Sequence, residues 1–326
     1  MSDETEFQSS KGAAIAGAIG VGVIFLYLQT FGGRVMLELG QEIADADETW
    51  RYRGMSTLMV LGGVLGALVA AMRFRLEVWQ TNLGWSFRAC AVAAVFAVVA
   101  QNWTTLLGAA FLAGIASGWV LTTLATGMRS SVGTKHLGFV VGGGLALSIG
   151  LGQVAYLLAD LFGDSTKGTA VVIAMLAAAT SVVVPFLTPL EPSMDMTDNY
   201  RGKGLFATWL AFFAIAVLAN LYASASGIDI AGIGPMVVGI CVLPGLGWLL
   251  DGGQRGVQLL AAGGVVIGGM VALVGLGYLF SILTLLVTWM SLLGFYFAAR
   301  GGRVWVSAGT VVWVWILAPY VAEFLT

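Results

Sequence analysis

The residue types that could do chemistry are few, and their spacing rules out most reactions. The single histidine, His136, lies in the polar stretch RSSVGTKHLG with no second His, Cys or carboxylate close by, so it reads as a solvated loop residue and not as a metal ligand. Ser117 in the run IASG sits in an apolar, glycine-rich setting like that of a buried nucleophile. A serine hydrolase of the membrane also needs a histidine base in a later span, and the sequence has none. Paired Asp-rich motifs that hold metal-bound pyrophosphate do not occur either. Cys90 and Cys241 are far apart inside apolar segments and read as small packing residues. No catalytic residue, metal site or cofactor is therefore expected, and the chain reads as something other than an enzyme.

What remains is polar but uncharged. Tyr27, Gln29, Gln153, Asn220 and Tyr222 fall inside apolar stretches, where each either bonds to a neighbouring helix for about 0.6 kcal/mol or faces a cavity. A cavity lined this way suits a small neutral or amphipathic solute. Arg34, Glu38 and Glu42 follow one another at helical spacing and read as a solvated face, with an ion-paired cap as the alternative. Asp160, Asp229 and Glu323 fall near the ends of apolar runs, so no ionisable group is placed at mid-membrane depth, where a lone charge costs at least about 2.5–3.5 kcal/mol.

The elements that must position these residues follow from composition. Of the 326 residues, 59% are hydrophobic and only 10% charged, where a water-soluble surface needs roughly a quarter charged. The outside of the fold must face lipid. Runs of about 20 apolar residues place spans at 12–32, 54–73, 85–101, 103–125, 138–161, 169–188, 206–225, 228–250, 257–274, 276–298 and 303–323. These runs are too long, and apolar on too many sides, for barrel strands. Short breaks, at Asn102 and at 224–227, imply helical hairpins. The fold class is all-α, a polytopic transmembrane helical bundle.

Placing the N-terminus in the cytoplasm puts Lys11, Arg73, Arg75, Arg88, Arg129, Lys135, Arg201, Lys203, Arg255, Arg300 and Arg303 on that side. Only Arg34, Arg51, Arg53 and Lys167 fall opposite, as the positive-inside rule requires. The opening MSDETEFQSSKG is acidic, the wrong flank for a signal peptide, so the first apolar run is expected to be a retained helix. Scattered single Lys and Arg residues offer no nucleic-acid footprint.

The expected organisation is a tail at 1–11, six spans at 12–188, a polar linker at 189–205 and about five spans at 206–326. No proline precedes Pro185, whereas Pro235, Pro244 and Pro319 lie within later spans. Kinks are therefore expected in the second part and straighter helices in the first.

Several segments carry a resemblance. VAQNWTTLLGAAFLAGIASG (99–118) resembles the passage from third to fourth helix in the major facilitator superfamily, and GFVVGGGLALSIGLGQVAYLLADLFG (138–163) is similar to its Gly-rich antiporter-type motif. GWLLDGGQRG (247–256) resembles its cytoplasmic loop signature, with Gly247, Leu249, Asp251 and Arg255 at or near the signature places. The resemblance implies two helical halves about a cavity and alternating access. It also implies conformational gating by Gly247, Asp251 and Arg255, with Arg73 and Arg75 in the corresponding first-half loop.

The departures mark a diverged member. AAMRFRLEVWQ lacks the Gly–Asp framework, Ala110 stands where many members carry a coupling Arg, span five lacks the usual Pro, and a twelfth span is missing. The expectation is a permease in the cell membrane whose partners are the bilayer and a small-molecule solute. The rival is a non-transporting scaffold or accessory subunit with a membrane-protein partner.

Overall fold

The structure is a computed structural model that describes residues 2–43, 49–162, 165–188, 202–225, 233–252, 280–301 and 303–325. Among the described residues every regular element is a helix. The first is α1 (Ser2–Leu26), which runs through a π-helical stretch, Tyr27–Val35, into α2 (Met36–Ile43). Then come α3 (Thr49–Arg73), α4 (Trp79–Val98), α5 (Trp103–Val132), α6 (Leu137–Ala159) and α7 (Ser165–Val183). After the expected linker, most of which lies outside the described residues, follow α8 (Gly202–Ala225), α9 (Ile233–Asp251) and α10 (Phe280–Gly301). The chain closes with α11 (Val304–Thr310), a second π-helical stretch, Val311–Leu317, and α12 (Ala318–Leu325).

Seven of the described helical stretches are long and apolar enough to cross a membrane. The outer surface agrees, because large apolar side chains such as Leu157, Leu161, Val182 and Trp248 stand exposed on it, which water would penalise and lipid does not. This is a multi-pass membrane protein. The expected span 257–274, Arg255 and residues 226–227 of the break at 224–227 lie outside the described residues.

Contacts between helix ends fix two ends of the bundle. One carries Arg129, Lys135 and Arg300, and is called the basic end. The opposite, acidic end carries Glu38, Glu42 and Glu323.

Within lipid the hydrophobic effect does not drive helices together, so close backbone approach must do it. Small residues at i, i+4 supply that approach. Gly62 and Gly66 of α3 lie against the Phe111 and Ile115 carbonyls of α5, while Gly114 and Gly118 of α5 lie against the Met59 and Gly63 carbonyls. The pairing rises together along both chains, so α3 and α5 run parallel. The same device joins α6 to α9, antiparallel: Gly138 meets Gly247 and Gly142 meets the Leu243 carbonyl.

The break at Asn102 is a cap. Its Oδ1 accepts the Thr105 N–H at 2.9 Å and the Thr105 hydroxyl lies 3.4 Å from the Asn102 N–H, a reciprocal box at the start of α5. Asn102→Ala is expected to lower stability by about 1 kcal/mol, read as an earlier thermal unfolding midpoint in detergent.

Two expectations need correction, and the first helix holds an irregularity that no proline marks. The nine-residue π-helical stretch Tyr27–Val35 lies in the first helix without any proline, and its turns include the weak helix formers Gly32 and Gly33. Arg88 does not flank a span: α4 begins at Trp79, so Arg88 is well inside it, on the outer face, with its guanidinium 4.7 Å from the Trp85 ring centroid and its Nε 3.3 Å from Ser181 Oγ. A long side chain can lie along apolar surface while its head reaches toward the interface.

Arg34, Glu38 and Glu42 are not a merely solvated face. Arg34 Nε pairs with Glu38 Oε1 at 2.7 Å, Thr166 Oγ1 donates to Glu38 Oε2 at 2.9 Å, and Lys167 Nζ reaches Glu42 Oε2 at 3.2 Å. The first helix is thereby tied to the start of α7, and Arg34 also sits 5.0 Å from the Tyr156 ring centroid of α6.

Candidate functional site

A cavity of about 300 Å³ lies between the helices that precede residue 189 and those that follow 201. Both π-helical stretches border it, the first through Leu28, Gln29, Gly32 and Gly33 and the second through Val314, Trp315 and Ile316. A π-helical turn widens the helix and displaces side chains from the regular register, and such turns occur often at functional sites. α3 contributes Ser56, Met59 and Gly63 to the wall, α5 Ser117, α8 Asn220, and α10 Ser291. The floor is apolar and aromatic: Phe25 meets Trp315 edge-on with ring centroids 5.6 Å apart. Gln29, Gly33 and Glu323 are exposed, so the cavity communicates with the exterior toward the acidic end.

At the basic end a chain of hydrogen bonds joins α9, α6, α10 and α5. Asp251, the last residue of α9, accepts the Gly138 N–H through Oδ1 at 2.7 Å and the Phe139 N–H through Oδ2 at 2.9 Å. Those are orphan donors of the first turn of α6, and a carboxylate there also meets the positive end of the helix dipole. Beside it, Tyr296 Oη donates to the Leu250 carbonyl at 3.0 Å. Arg300 Nη1 donates to Tyr296 Oη at 3.1 Å, and Arg129 Nη1 of α5 donates to the Arg300 carbonyl at 2.7 Å. Burial pushes the Asp251 carboxyl above its ordinary range, against the opposing pull of the Phe139 and Gly138 N–H groups, His136 and Arg300.

Of the residues expected to line a cavity, Gln29 and Asn220 do so. Tyr27 does not: it is fully buried, with its ring centroid 4.8 Å from that of Phe31. Two residues apart on one helix, Tyr27 and Gln29 face opposite sides. Gln153 is half-buried on α6 and lies outside the wall. Tyr222 is in α8, but its side chain lies outside the described residues.

Among the gating candidates, Gly247 and Asp251 join α9 to α6. Arg73 and Arg75 are exposed, and their side chains reach no other helix through a hydrogen bond or ion pair among the described residues. Sequence reasoning missed Glu323, Trp315 and Tyr296, because nothing local marks a residue whose partner lies on a distant helix. Compared with known protein families and with curated proteins, the chain matches none.

Proposed function

We propose that this protein is a facilitator-type secondary transporter that moves a small amphipathic solute by alternating access, with its basic end in the cytoplasm of a cell membrane. The carrying observation is a partly polar chamber of about 300 Å³ between two sets of helices, with exposed lining residues toward the acidic end and hydrogen bonds that join α9, α6, α10 and α5 at the basic end. A scaffold has no need of such a chamber. Transport needs one, together with a seal that can form and break on the far side. The volume is at the small end of ligand pockets, which fits a compound of one ring and a short polar group.

The seal supports the facilitator reading in particular. In the family the chain resembles, the loop signature carried here by Gly247 and Asp251 controls cycling. Here Asp251 holds the start of α6, 113 residues away in sequence. The N-cytoplasmic orientation is supported by the division of the Lys and Arg residues that flank spans, ten on one side with Arg88 set aside and four on the other.

The test is access. In a chain with Cys90→Ala and Cys241→Ala, Gln29→Cys and Ser291→Cys are expected to react with a membrane-impermeant maleimide applied from the acidic side. Solute exchange in liposomes should slow once either is labelled. Absence of labelling at both positions, with no solute flux, would instead support the scaffold.

A further inference from the structure

Arg88 stands exposed on the lipid-facing side of α4, between the exposed Trp85 and Val92. Its Cα lies about 14 Å from the helix start at Trp79. Because α3 runs parallel to α5, whose last turn carries Arg129, the turn from α3 to α4 is at the basic end. Side chains on a helix lean toward its N-terminus, and the Arg88 head returns about one turn in that direction. Its Nε donates to Ser181 Oγ of α7 at 3.3 Å, beside Gly84, where an added Cβ would lie 3.6 Å from the Ser181 carbonyl oxygen.

Ser181 gives its own proton to the Ala178 carbonyl at 2.7 Å, which fixes its oxygen as the acceptor for Arg88. The Trp85 ring holds one face of the guanidinium, with its centroid 4.7 Å away. The head is thus held on two sides. Its two terminal nitrogens make no hydrogen bond among the described residues, and no carboxylate there pairs with them.

A lone charge among lipid chains is costly and calls for a counter-charge. A guanidinium offers a planar fork of N–H donors that fits a phosphodiester. The surroundings set the net charge of the headgroup. Arg73 and Arg75 are exposed in the adjoining turn, against one exposed carboxylate, Glu77. A zwitterionic headgroup would bring its own ammonium group against these arginines, whereas an anionic one brings none. Beyond Arg88, the exposed Val92 and Val95 continue the same stripe of α4 at helical spacing, a track for an acyl chain.

We propose that the outer face of α4 and α7 at the basic end binds an anionic phospholipid, with its phosphodiester on the Arg88 guanidinium and one acyl chain along Val92 and Val95. The site requires only that α4 spans the membrane, and it is separate from the chamber and its solute.

Native mass spectrometry of the full chain in detergent reads retained lipid directly. Dioleoylphosphatidylglycerol and dioleoylphosphatidylcholine carry the same chains and differ in headgroup. Offered in equal amounts, the phosphatidylglycerol is expected to be retained in preference. Arg88→Leu keeps the face apolar and is expected to weaken that retention about tenfold, the scale of one hydrogen bond to a charged group, while phosphatidylcholine retention stays unchanged. Arg88→Gln, which keeps a polar head, should show the same loss. Arg88→Lys should recover part of it, since it restores the charge without the fork. Equal phosphatidylglycerol retention by wild type and both neutral variants would overturn the assignment. So would equal retention of the two lipids by wild type. An acidic membrane protein that co-purifies with wild type and is released by Arg88→Leu would make this face a protein interface, and would overturn the lipid site as well.

Discussion

Gly114→Val is expected to abolish recovery of monodisperse protein. A Cβ on Gly114 would fall on the Met59 carbonyl oxygen of α3, beside the Gly63 amide nitrogen 2.9 Å away. Neither is the free end of a side chain that can swing aside. The two helices would have to separate, and Gly62, Gly66 and Gly118 would lose their backbone contacts at the same time. Overpacking typically costs ~1–3 kcal/mol where side chains can adjust, and this contact between backbones should cost at least the upper end of that range. Gly143→Ala is the matched control, because a Cβ there meets nothing within 4 Å. Size-exclusion profiles and thermal unfolding in detergent check both. A Gly114→Val protein as monodisperse and as heat-resistant as the Gly143→Ala protein would disprove the close α3–α5 packing.

The second large effect is expected at Asp251. Asp251→Ala strips the Gly138 and Phe139 N–H groups of their acceptors, and of the two only the Gly138 donor is in a buried residue, where a donor left unmet costs about 1–3 kcal/mol. The basic end should then loosen. A cysteine at Ser291, shielded from that side in the parent protein, should become reactive to an impermeant maleimide applied there, and solute exchange should lose its alternation. Unchanged labelling from the basic side would remove Asp251 from the gating role.

The same carboxyl gives the seal a pH dependence whose sign is fixed. Its pKa is raised in the sealed form by burial, whereas opening would return it to water and to its ordinary value. The sealed form therefore holds the proton more tightly. Its stability is greatest below the ordinary carboxylate range and declines as pH rises through the raised value. Labelling at Ser291→Cys from the basic side should accordingly increase as the pH rises, and Asp251→Asn should flatten that dependence.

Much of the architecture was legible because lipid imposes it locally. With no water to satisfy backbone groups, every apolar run of sufficient length has to become a helix, and each run can be counted without knowledge of its neighbours. The break at Asn102 was read along the chain, and the cap found there is equally local, since both of its partners lie within one turn. Glycine spacing marked which helices can approach closely, but not which pairs do. Gly114 faces α3 and Gly138 faces α9, a choice made by the assembled bundle.

The site was legible only in part. Gln29 and Asn220 announced themselves as polar groups in apolar runs, yet Tyr27 has the same signature and is buried away from the chamber. Tyr27 and Gln29 stand two residues apart on one helix and so face opposite sides, and which side meets the chamber depends on the neighbouring helices. Glu323 looked like a helix-end residue, and only the approach of α3 turned it into part of a wall. Asp251 could be singled out by its loop, but its acceptor role depends on a helix start more than a hundred residues earlier. Backbone satisfaction in lipid is a local requirement and so can be read along the chain. Cavities and seals arise from where distant helices meet, and that is settled by the packing of the whole bundle.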